Sequence, residues 1–108
     1  MNKNENLLFI CSRNQWRSPT AEKVYIQKGF SARSAGTSPK AKRTVSVSDI
    51  KWSSHIFVME KKHKQRLLAK FTRLLEYKKI VVLDIPDEYQ FMDDELIDIL
   101  NESVAHHL

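Results

Sequence analysis

Cys11 is the one cysteine of a 108-residue chain, and five residues separate it from Arg17 in the run Cys-Ser-Arg-Asn-Gln-Trp-Arg-Ser-Pro, residues 11–19. A loop of this length can turn its backbone N–H groups inward on an anion. Such an environment stabilises two negative charges, a cysteine thiolate and a phosphate seated above it. Arg17 closes the loop and can fork onto two phosphate oxygens, a geometry that Lys cannot reproduce. Together these residues suit a nucleophile aimed at a phosphoester. A leaving phenolate or alkoxide also needs a proton, so a carboxylic acid should hang over the loop.

The flanking residues set the loop between two elements. Leu7-Leu8-Phe9-Ile10 reads as a buried strand. After the loop, Ser18 suits an N-cap and Pro19 the first helical position, where a missing N–H costs nothing. That helix buries Ala21, Val24 and Tyr25 and stops at Gly29. Three more apolar runs follow, at 30–34, 55–59 and 80–83, and the last is continuously apolar, as a strand covered on both faces would be. A short helix fits around Val47 to Trp52. Leu67, Leu68, Phe71, Leu74 and Leu75 make one stripe at helical spacing, and a final helix opens near Asp93 and buries Leu96, Ile97 and Leu100.

Strands that alternate with helices imply right-handed crossovers, hence a three-layer α/β/α domain with a four-stranded parallel sheet over residues 1–108. The loops after the first and fourth strands then open at the same carboxyl edge. Residues 11–18 and 84–89 become one site, with Asp84 and Asp87 both placed to supply the proton. Trp16 and Tyr89 are placed to wall the cleft for an aromatic ester.

In this loop and in later segments the chain resembles the low-molecular-weight protein tyrosine phosphatases. Ala21-Glu22 follows Ser-Pro as in that family, and Ser34-Ala35-Gly36-Thr37 looks like its second-strand signature. Ile56-Phe57-Val58-Met59-Glu60 resembles its third strand, and Pro86-Asp87-Glu88-Tyr89 its Pro-Asp-Pro-Tyr loop. The resemblance implies sheet order 2-1-3-4 with the phosphate-binding loop after the first strand. It implies Cys11 as nucleophile, forming a cysteinyl phosphate, with Arg17 clamping the phosphoryl group and Asp87, in preference to Asp84, as general acid. Ser12, Arg13, Asn14, Gln15, Trp16 and Ser18 would form the loop. By the same likeness, Ser18 hydrogen-bonds the sulfur, Asn14 ties the loop with support from Ser34, and Tyr89 belongs to the acid loop.

The chain also departs from that pattern. Arg13 stands where the family usually has Gly, Trp16 where it often has a second Cys, and Glu88 where it has Pro. The stretch after Thr37 is shorter than usual. With no second thiol, an oxidised Cys11 can only proceed along the sulfenic ladder. Substrate choice is the property such a likeness carries least.

Composition narrows the rest. Apolar content of 42% and charged content of 29% are those of an ordinary soluble domain. No apolar run is long enough to span a membrane. A lone cysteine and a polar start point to a reduced, cytoplasmic protein without a secretory leader. His55 and His63 have no partner at metal-ligand spacing, so no metal or other cofactor is expected. All 18 Lys and Arg lie in residues 1–79 beside five acids, while residues 80–108 hold the other eight acids. A basic body suits a phosphorylated protein or a small aryl phosphate, and it admits nucleic acid as a less favoured partner. Nothing in the sequence sets an oligomeric state. Two other readings stay open at this point: an arsenate reductase-like enzyme using an external thiol, and a non-catalytic anion- or RNA-binding module.

Overall fold

The computed structural model describes residues 4–108. Strands β1 (Asn6–Cys11), β2 (Ser31–Gly36), β3 (His55–Val58) and β4 (Ile80–Val82) form one parallel sheet in the order β2-β1-β3-β4. Helices α1 (Arg17–Gln27), α2 (Val47–Trp52), α3 (Lys61–Lys70) and α4 (Asp94–Ala105) cover its two faces. The expected α/β/α architecture and strand order are therefore present.

Alternation along the central strand divides the core. Leu7, Phe9 and Cys11 point to the face covered by α1 and α4, where they join Tyr25, Phe57, Leu96 and Leu100. Leu8 and Ile10 point to the other face, against Ile50 of α2 and Leu67 of α3. Phe9 stacks on Phe57 with centroids 5.4 Å apart and tilts against Tyr25 at 5.6 Å. Cys11 thus ends the most deeply packed strand of the sheet, which gives the following loop a rigid base. Among the described residues, no helix is long and apolar enough to cross a membrane.

Three local expectations are corrected. Ser18 is not the N-cap: α1 opens at Arg17 after Trp16, and no side chain caps it. Pro19 still lies in the first turn, where its missing N–H leaves no bond unmade. The run 80–83 is not covered on both faces, because β4 is a half-buried edge strand of three residues. The stripe begun in α3 outlasts the helix, which ends at Lys70. Phe71 and Leu75 are buried from the turns that follow, while Leu68 is exposed.

The chain ends of the helices follow their sequence signals. Gly29 (φ 94°) closes α1, with Gly29 N–H donating to Ile26 O (2.9 Å) and Phe30 N–H to Tyr25 O (3.0 Å). Asp93 caps α4 by accepting the N–H groups of Glu95 and Leu96. Ser46 and Asp49 form a reciprocal box at the start of α2. Asp49 is buried; burial alone would raise its pKa, but Arg43 and the Ser46 bonds outweigh that and hold the carboxyl low.

Candidate active site

The loop from Cys11 to Arg17 is held by side chains from three elements. Asn14 sits in the left-handed region (φ 54°), which Asn tolerates better than most residues. Its Nδ2 donates to Ser18 Oγ (3.0 Å) and Ser34 Oγ (2.9 Å), so β2 and α1 both fix the turn. Ser34 in turn donates to the Glu22 carboxylate. Ser18 Oγ accepts from Asn14, and its own proton has two acceptors in reach, Cys11 Sγ at 3.0 Å and the Ala35 carbonyl at 3.5 Å. Arg13 has no left-handed backbone, so the glycine of the resembled family is not required there.

The loop is also splinted from behind by the main chain of residues 37–42. Thr37 N–H donates to Cys11 O (3.0 Å), Ser38 N–H to Ser12 O (2.9 Å) and Lys42 N–H to Arg13 O (3.0 Å). Gly36 permits this closeness, since a Cβ there would lie 2.5 Å from Ser12 O and 3.0 Å from Asn14 N.

Arg17 is only 2% exposed. Its Nη1 donates to Glu60 Oε2 (2.6 Å) and to the Ile85 carbonyl (2.7 Å). Its Nε lies 3.6 Å from Asp87 Oδ1. Nη1 is thus committed to Glu60 and Ile85, and Nε faces the Asp87 carboxylate. Burial pushes the Glu60 carboxyl up, but the hydrogen bond and charge of Arg17 prevail and hold it below the ordinary range. Ile85 reaches Arg17 because main-chain pairing continues past β4, with Ile85 N–H on Met59 O (2.8 Å) and a left-handed turn at Asp84 (φ 56°) between.

Sequence reasoning missed His63. Its Nδ1 accepts the Glu60 N–H (3.0 Å) and its Nε2 lies 2.8 Å from Ser12 Oγ. The residue is buried. Burial first, and then the nearby Arg17 charge, push its pKa down to about 4, against a smaller opposing pull from Glu60. The only signal for this clamp was Glu60-x-x-His63 at a strand end, the spacing of a capping box.

A stability consequence follows from that shift. Between pH 4 and 6.5 the unfolded chain binds a proton on His63 that the folded chain refuses. The stabilisation is complete above about pH 6.5 and lost as the pH falls toward 4, on the order of 3 kcal/mol in all. Denaturant unfolding at steps from pH 7 to 4.5 should show a steeper loss for wild type than for His63→Asn. Parallel curves would mean that His63 is not held neutral by the fold.

Cys11, Ser12, Arg13, Gln15, Trp16, Arg17 and Asp87 line one small cleft of about 40 Å³. Asp87 is 59% exposed at its mouth and Trp16 38% exposed at its edge. Asp84 is exposed and stands outside the residues that line the cleft. Tyr89 does not line it either; it packs half-buried against the core beneath α1 and α4, which corrects the expectation of a second aromatic wall. Among the described residues, no group of three His, Cys, Asp or Glu could hold a metal ion.

No family model and no curated protein matches the chain. Solved structures match it over nearly its whole length. One is the YwlE arginine phosphatase from Geobacillus stearothermophilus, 21% identical, with TM-score 0.74 over 95% of this chain and 92% of that one. Another is the tyrosine phosphatase Wzb from Escherichia coli K30 in complex with phosphate, 17% identical, with TM-score 0.74 over 96% of each chain. A third is a low-molecular-weight protein tyrosine phosphatase from T. tengcongensis, 20% identical, with TM-score 0.72 over 97% of this chain and all of that one (100%). At these identities the likeness establishes the fold that those proteins share.

Proposed function

We propose that the protein is a cysteine-dependent phosphomonoesterase whose substrate is phosphotyrosine in proteins. One observation carries this reading: Cys11, the buried Arg17 and Asp87, drawn from opposite ends of the chain, line one small cleft. Cys11 Sγ attacks phosphorus, the S–P bond forms and the P–O bond to the leaving group breaks. Asp87 protonates the departing oxygen. Water then attacks the cysteinyl phosphate, passing its proton to Asp87, and Cys11 leaves as the thiolate that Ser18 steadies. The loop N–H groups and the Nε–Nη2 edge of Arg17 hold the equatorial oxygens, where transition-state charge gathers.

Trp16 at the cleft edge favours an aromatic ester, which supports tyrosine over the arginine named for two of the similar structures. A nucleophilic thiol needs a reducing compartment, in keeping with a cytoplasmic protein. Neither a metal nor a cofactor enters the scheme.

The reading is tested by turnover of a series of aryl phosphates by wild type and Asp87→Asn. Wild type should hydrolyse them all. Asp87→Asn should slow esters of strongly basic phenols about 100-fold, and those of weakly basic phenols far less, since a weakly basic phenolate departs unprotonated. Leaving-group dependence in Asp84→Asn instead would move the acid to that residue. No wild-type turnover of any ester would defeat the proposal and favour a non-catalytic anion-binding role.

A further inference from the structure

The hydrogen-bond polarity around His63 has a consequence for the cleft. Nδ1 of His63 accepts the Glu60 N–H, so it carries no proton. The proton of the neutral ring therefore sits on Nε2 and is donated to Ser12 Oγ at 2.8 Å. A hydroxyl that accepts along one direction must send its own hydrogen along another. Ser12 belongs to the lining of the cleft, so an anion there is an acceptor within its reach.

We infer that Ser12 donates its hydroxyl proton to the bound oxyanion, and that His63 is a positioning residue that fixes the direction of this donor. The ligand class is a tetrahedral oxyanion, and the inference rests on reading the cleft as a phosphate site. Glu60 joins the two halves of the clamp. Its N–H sets the tautomer of His63, while its carboxylate takes Nη1 of Arg17. One residue at the end of β3 thereby orients two independent donors, a side-chain hydroxyl and a guanidinium edge. Backbone N–H groups of the loop carry no such setting, because their direction follows from the main chain alone.

Four proteins decide the matter: wild type, Ser12→Ala, His63→Asn and the double variant. Asn is chosen because its Oδ1 can replace Nδ1 as acceptor of the Glu60 N–H, yet nothing then reaches Ser12. Binding of inorganic phosphate is measured by calorimetry and by protection of Cys11 from iodoacetate, with thermal melts to verify folding. Ser12→Ala should weaken phosphate binding about tenfold, the scale of one hydrogen bond to a charged group. His63→Asn should weaken it at least threefold, and the double variant should match Ser12→Ala alone. Unchanged binding in Ser12→Ala overturns the inference. So does a double variant weaker than Ser12→Ala by the factor His63→Asn shows in wild type, because His63 would then act through something other than Ser12. If His63→Asn fails to fold, Ser12→Ala still decides whether the hydroxyl donates. Wild type that binds phosphate but hydrolyses no aryl ester overturns the enzymatic reading only, and the phosphate constants still judge Ser12. Wild type that binds no phosphate overturns both.

Discussion

Cys11→Ser is expected to lower aryl phosphate turnover by about four orders of magnitude or more, while phosphate binding and the melting temperature stay near wild type. The size of the loss follows from what the hydroxyl cannot do. A serine at the end of β1 presents a neutral oxygen with no base beside it, since its neighbour Ser18 is itself only a donor and acceptor. Loss of the nucleophile in an enzyme whose parts act as a unit costs the whole covalent route. Binding should persist, because the loop N–H groups and Arg17 are untouched. Steady-state kinetics and phosphate inhibition on the same sample check both halves. Activity within tenfold of wild type would place the nucleophile elsewhere.

Arg17→Lys is the second large effect, with kcat/KM reduced roughly 100-fold or more. The ammonium can keep one partner, and Glu60 is the nearest, at 2.6 Å from Nη1 in wild type. The pair of the buried Arg17 position with the partly exposed Glu60 then stays neutral, which avoids stranding a charge on either side. What disappears is the second edge of the plane. A side chain with one nitrogen cannot hold Glu60 and Ile85 O while also forking onto a phosphoryl group. A small change in melting temperature beside a large kinetic loss is the expected pattern. Near-wild-type kinetics would show that the arginine is structural only.

The runs 11–19 and 86–89 stood out because each is a contiguous stretch whose residue types are unusual together, and Cys11, Arg17 and Asp87 from them line one cleft. The room between Gly36 and His55 for one short helix also placed α2 correctly, over Val47 to Trp52. Sheet order came through resemblance, because hydrophobic periodicity fixes faces and not neighbours. Ser18 was misplaced for a physical reason. Its hydroxyl is taken by Cys11 and Asn14, so it cannot cap, and the helix begins two residues earlier than expected, on Arg17 rather than Pro19. Glu60 and His63 were invisible as functional residues because their partners lie 43 and 51 positions away. No local pattern reports a bond of that span. Tyr89 was assigned to the cleft by its sequence position, whereas its half-buried side chain packs against the core.

The splint behind the nucleophile loop is built from peptide groups, and peptide groups are the same whatever side chain they carry. Exposed residues such as Lys40 and Lys42 can therefore be exchanged without loosening Cys11, Ser12 or Arg13, whose carbonyls they or their neighbours' N–H groups hold. An inserted or deleted residue is different, because it would slide the donors out of step with their acceptors. The exposed positions Pro39, Lys40 and Lys42 are thus free to drift in composition, while Arg43, Val45 and Ser46 are held by their own side chains and the length of the segment is pinned. A lineage carrying this fold can re-dress the rim of its cleft one substitution at a time, leaving the machinery beneath it undisturbed.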